Sequence, residues 1–143
     1  MINYHQDFYG WTQEQAALLR AGRLSDLDIE NLIEEVECMG RSEKRELESR
    51  LTVLLLHLLK WKYQEVRRGR SWELSIAEQR IQFRKTLKEN PGLKPLLDEI
   101  LSDAYSLAIL QASRETKISK SVFPQQCPWS FSQITDDNYL PDS

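Results

Sequence analysis

The stretch from Leu47 to Trp61, LESRLTVLLLHLLKW, constrains the fold more than any other part of the sequence. Leu47, Leu51, Leu54, Leu58 and Trp61 recur at helical steps of three and four, so they share one stripe. Val53, Leu55, Leu56 and Leu59 fill most of the remaining circumference. A helix that is apolar nearly all round is buried on several sides, and only neighbouring elements can cover it. The same run does not read as a membrane span, because a span needs ~20 apolar residues. Here His57 and Lys60 interrupt the longest apolar stretch.

The covering elements also read as helices. Thr12, with Gln15 three residues on, has the form of a capping box and predicts a helix over roughly 13–21 that stops at Gly22. Ser25, with Asp28 at the box position, opens a second helix over 26–39, with Gly40 as its stop. Ser42 opens the apolar helix, 43–68, which stops at Gly69. Ser71 or Ser75 opens a fourth, 75–89, closed by the turn Asn90-Pro91-Gly92. The fifth, 93–115, tolerates Pro95 in its first turn. Beyond it lies a tail, 118–143, whose spaced Phe123, Trp129, Phe131, Ile134 and Tyr139 read as anchors onto the helices. With only 5 Gly and 5 Pro, a many-turned β fold is a poor fit. The expectation is an all-α fold, a single domain over 1–143 with about five helices and the C-terminal tail packed on the outside. An up-down bundle and an irregular helical array both fit.

Charge and motifs narrow the function classes. A net charge of −3 argues against a protein that binds nucleic acid through its global charge. The glycine-rich phosphate loops, the GxSxG elbow and the HExxH zinc motif are missing from the sequence. Cys38 and Cys127 form no CxxC pair, and two Cys with two His in no ligand spacing make a poor zinc site. The N-terminus lacks a basic region followed by an apolar run, so the expected location is the cytoplasm.

Several polar groups sit where an apolar face is expected. Glu46, Arg50, His57 and Gln64 form a seam beside the leucine stripe. One reading pairs Arg50 and His57 with the glutamates of 26–39. The other makes them a catalytic Arg-x6-His pair of the kind found in the HEPN ribonucleases, with His57 activating a ribose hydroxyl and Arg50 holding the phosphate. Structural ion pairs produce the same pattern, so the first reading leads. Arg80 lies on the Ile76/Phe83/Leu87 face, and a buried guanidinium needs a carboxylate, with Glu30, Glu34 and Glu37 as candidates; an internal Arg–Glu bridge is preferred there to a ligand-anion site. The segment 26–39 joins an apolar stripe, Ile29, Leu32, Ile33, Val36 and Met39, to six carboxylates. A solvated acidic face is preferred there to a carboxylate metal site, and no metal or other cofactor is expected. Finally, Lys60, Lys62, Arg67, Arg68 and Arg70 cluster with Trp61, Tyr63 and Trp72 in a basic, aromatic corner with the composition of a nucleic-acid surface. The structural reading is preferred to nucleic-acid binding, because cations near a helix C-terminus complement its dipole and Trp61 belongs to the core stripe.

Taken in order, DFYGWTQEQAALLRAGR (7–23), LDIENLIEEVECMGRSEKRELESRL (27–51), LLHLLKW (55–61), RSWELSIAEQR (70–80), NPGLKPLLDEIL (90–101) and FPQQCPWSFSQI (123–134) resemble the family catalogued as domain of unknown function twenty-nine. The resemblance implies an all-helical domain from a prokaryotic, cyanobacteria-rich family and implies no activity. The leading expectation is therefore a non-enzymatic protein-interaction domain, binding another protein through the basic corner or the acidic segment. The metal-independent ribonuclease and the carboxylate metal site follow as alternatives.

Overall fold

The structure, a computed structural model, describes residues 1–142. It is all-α: α1 (Phe8–Arg20), α2 (Ile29–Tyr63), α3 (Arg70–Glu89), α4 (Leu97–Thr116) and α5 (Phe131–Thr135), joined through short 3₁₀ turns. The chain packs as two compact units, Met1–Ser42 and Glu43–Ser143.

The first unit contains α1 and the start of α2. Helix α1 begins five residues before the expected position, because Asp7 and not Thr12 caps it. The Asp7 carboxylate accepts the Gly10 amide at 2.9 Å, while the Thr12 hydroxyl donates to Tyr9 O. A Cβ on Gly10 would collide with that carboxylate, so the cap requires the glycine. The expected stop is present: Gly22 adopts φ +71°, with Arg23 N donating to Leu18 O and Gly22 N to Leu19 O. These paired bonds close a helix end on a left-handed residue. Ser25 caps no helix. A 3₁₀ turn covers Leu24–Asp26, and α2 starts after Asp28, whose carbonyl accepts Leu32 N.

The expected break at Gly40 is absent, and α2 runs through it to Tyr63. A helical glycine costs about 1 kcal/mol relative to alanine, which a run of good helix formers on both sides outweighs. Only a left-handed backbone or a proline would have forced the stop, and Gly40 has neither.

The second unit holds the main core. Leu47, Leu51, Leu54, Leu55, Leu58 and Leu59 of α2 are fully buried, as the all-round apolar pattern demanded. Ile76 and Phe83 of α3, and Ile100, Ala104 and Ala108 of α4, pack in the same cluster. The tail joins it through Phe123, Trp129 and Ile134. The Tyr105 hydroxyl donates to Pro124 O at 2.6 Å, and its pKa is pushed up chiefly by burial. Helix α5 is a single capped turn, with Ser130 and Gln133 exchanging side-chain and backbone bonds.

Arg80 is buried as expected, at 2% exposure, but its partners are not the expected glutamates. Its guanidinium donates to three tail carbonyls: Ile134 O at 2.8 Å, Tyr139 O at 2.7 Å and Gln133 O at 3.3 Å. Burial lowers its pKa, and the carboxylates of Asp137 and Asp136 oppose that shift. Arg84 adds a forked pair to Asp137 and a bond to Thr135 O. A planar donor group meets the end of α5 and the chain beyond it here, where backbone carbonyls have acceptor capacity to spare; Gln133 O also accepts Asp136 N.

Candidate interaction site

The first unit leaves a line of apolar side chains uncovered along one helix. Among its described residues only Trp11 and Gln15 are buried. Polar bonds hold it together. Trp11 Nε1 and Asn31 Nδ2 both donate to the Asp28 carboxylate, at 3.0 and 2.8 Å, and Asp28 N donates to Gln15 Oε1 at 2.8 Å. These donors, Asn31 foremost, hold the Asp28 carboxyl below the usual range against a smaller opposing effect of burial. The Tyr4 hydroxyl donates to Glu35, a bond that raises its pKa to about 12. Tyr4 also meets Phe8 and Trp11 edge-on.

This network leaves the stripe of α2 facing out. Ile29, Ile33, Val36 and Met39 are 52–61% exposed. At 100° per residue Ile29, Ile33, Val36 and Gly40 fall within ~60° of one another, so they form a single line down the helix. Ile29, Leu32, Ile33, Val36 and Glu37 line a shallow groove of ≈ 250 Å³. The surroundings are acidic. Residues 24–40 carry six carboxylates and no Lys or Arg. The whole unit has eight carboxylates against three arginines, whereas the rest of the chain has fourteen against sixteen Lys and Arg. The negative charge of the protein is thus concentrated on the small unit. Asp26 pairs with Arg23 and Glu34 with Arg41, while Glu30 and Glu37 are exposed with no ion pair among the described residues.

The basic corner is largely engaged with itself. Lys60 pairs with Glu115 at 3.0 Å and lies over the Trp72 ring. Lys62 sits over Tyr63. Arg68 donates to Trp61 O and covers the Trp61 ring. Only Arg67 and Arg70 of the expected set are exposed with no ion pair among the described residues. The corner staples the end of α2 more than it offers cations to a ligand.

Arg50 and His57 do not pair with the glutamates of residues 26–39. Arg50 Nε donates to Glu46 at 2.8 Å, and His57 Nδ1 donates to Val53 O at 2.8 Å. Each bond stays within α2, because the helix places residues i and i−4 one above the other. The expected partners Glu30, Glu34 and Glu37 are all exposed. Among the described residues, no group of three or more His, Cys, Asp or Glu is arranged to hold a metal ion. Both cysteines are free thiols.

Sequence reasoning missed the Tyr4–Glu35 and Trp11–Asp28 bonds. The signal was the acidic side of α2 and the aromatic run YHQDFYGW (4–11), where phenol O–H and indole N–H groups need acceptors.

A family model described as domain of unknown function DUF29 matches residues 3–140. No curated protein and no solved structure matches the chain.

Proposed function

From the premise that the chain belongs to the DUF29 family, we propose that it is a non-enzymatic protein-interaction domain whose docking face is the Ile29–Met39 stripe of α2. The observation that carries this reading is the exposure of that stripe: four large apolar side chains, Ile29, Ile33 and Val36 in one line and Met39 beside it, each more than half exposed. Contiguous apolar surface of this kind marks an interaction site, whereas scattered exposed side chains do not. The polar bonding of Tyr4, Trp11, Gln15 and Asp28 supports the reading, because it supplies the unit's cohesion without using the stripe. The partner expected on this reading is a protein of a prokaryotic cytoplasm, in keeping with the resemblance to a prokaryotic family.

The test is a photo-crosslinking side chain at position 33, with position 81 on α3 as an exposed control. One protein adduct at 33, absent at 81, is the expected result in cells of the source organism. No adduct at 33, together with RNA cleavage that resists EDTA and disappears in His57→Ala, replaces the reading with the ribonuclease one.

A further inference from the structure

We propose that the Ile29–Gly40 line of α2 docks a basic amphipathic helix of a second protein; the proposal rests on the interaction reading above. The length of the line, the charge around it and the glycine at its end each specify part of the partner.

The line spans about three helical turns at 1.5 Å per residue. Its apolar side chains follow steps of three and four, and a facing helix with the same spacing interleaves with them. A strand would match only one or two of these positions.

Charge selects the flanks. Six carboxylates and no Lys or Arg lie between Leu24 and Gly40, and Glu30 and Glu37 have no ion pair among the described residues. A partner with Lys and Arg beside its apolar seam satisfies them and is drawn in from a distance. A second copy of this chain would set these carboxylates against their own kind. Phosphate-rich surfaces, whether nucleic acid or anionic lipid, are repelled for the same reason.

Gly40 sets the closeness of approach. It lies inside a continuous α-helix, where glycine weakens the helix relative to alanine. A Cβ there would meet nothing within 4 Å in this chain, so no internal contact calls for the glycine. On the line of Ile33 and Val36 it leaves bare backbone against which another helix can pack closely, as small residues at helix crossings allow.

The probe is a labelled synthetic peptide of about 18 residues, five helical turns, with leucines at helical spacing and lysines elsewhere. Its binding to the full chain is read by fluorescence anisotropy. Two control peptides separate charge from helical pattern: the same leucines with glutamates, and the lysine peptide scrambled out of helical period. The protein variant is Ile33→Ser with Val36→Ser, which removes exposed apolar groups and leaves the carboxylates; its urea melt checks the fold. The lysine peptide should bind, with affinity falling by about tenfold or more in the double variant, a loss of at least ~1.4 kcal/mol. Affinity should also fall as salt screens the carboxylates.

Equal binding of the glutamate peptide, lost in the double variant, overturns the basic partner and leaves the interaction face standing. Equal binding of the scrambled peptide, or no effect of the double variant, shows bulk charge attraction and overturns the docking helix. No binding by either helical peptide, alongside a specific crosslink at position 33, removes the partner class while the interaction reading survives. A dimer by light scattering that the double variant dissolves makes a second copy the occupant and overturns the proposal.

Discussion

Replacing Arg80 with Met isolates the contribution of the bonds between α3 and the tail. The aliphatic stem is roughly conserved in volume, so the packing beside Phe83 changes little. What disappears is a charged donor to Ile134 O, Tyr139 O and, more weakly, Gln133 O. A hydrogen bond from a charged group contributes about 1.5–3 kcal/mol, and the two short bonds dominate here. Against this, Met does not incur the several kcal/mol needed to desolvate a guanidinium. The carbonyl of Ile134, a fully buried residue, is then left without its donor, at about 1–3 kcal/mol. The terms leave a net loss of about 2–4 kcal/mol. For a chain of this size each kcal/mol lowers Tm by about 3 °C, so the melt should fall by about 6–12 °C. Urea denaturation followed by tryptophan fluorescence measures the free energy, with Trp129 in the tail as one reporter. Limited proteolysis should cut the segment after Lys117 sooner in the variant. Arg80→Lys should recover less than half, because one ammonium cannot fork to two carbonyls. Arg84→Ala, at a partly exposed pair with Asp137, should cost less than about 1 kcal/mol. An Arg80→Met protein within ~0.5 kcal/mol of the parent, with its tail still protected, refutes the reasoning.

Gly40→Ala should stabilise the free chain by about 0.5–1 kcal/mol in urea melts, since its backbone is helical and the added methyl meets open space. Leu54→Ala, at a fully buried core position, should cost about 2–5 kcal/mol by the same assay, whereas Ile33→Ser on the exposed line should stay within ~0.5 kcal/mol. The Tyr4 bond to Glu35 needs the protonated phenol, whose pKa is about 12 in the folded chain against 10.0 otherwise. Its stabilisation is whole below pH 10 and is lost as pH rises through about 12. The stability gap between the parent and Tyr4→Phe should therefore close across that window, read by urea melts at stepped pH.

Much of this architecture was legible because its causes are local. The burial of α2 from Leu47 onward follows from leucines on every side, and the stop at Gly22 from a residue that readily adopts positive φ. Gly40 misled because the residue type signals a stop only when the backbone turns left-handed, and here helix formers on both sides carry the helix through. Asp7 escaped notice because Thr12 presents an equally good capping pattern five residues on, and the choice turned on Gly10 giving the carboxylate room. Arg80 was recognised as buried, but its acceptors are backbone carbonyls, which every residue has and no sequence pattern distinguishes. The α2 stripe was plain as a periodicity. Periodicity does not say whether the apolar side meets the chain's own core or something else, and the exposure of Ile33 and Val36 decides that. The same ambiguity hid the loss of free cations at the basic corner, where Lys60, Lys62 and Arg68 turn onto nearby rings.

The bonds from Arg80 also impose an order on synthesis. Arg80 and its most distant acceptor, Tyr139 O, are 59 residues apart in the chain. At about 5–20 residues per second, the arginine is translated about 3–12 seconds before that carbonyl exists. During the interval the guanidinium has no seat in the core and must stay hydrated, which keeps α3 from closing over it. A nascent chain halted before Gln133 has none of the three acceptors and carries a hydrated cation where the folded protein is dry. Chains cut short of these acceptors should therefore be loose and protease-sensitive, which limited proteolysis of a truncated variant reads.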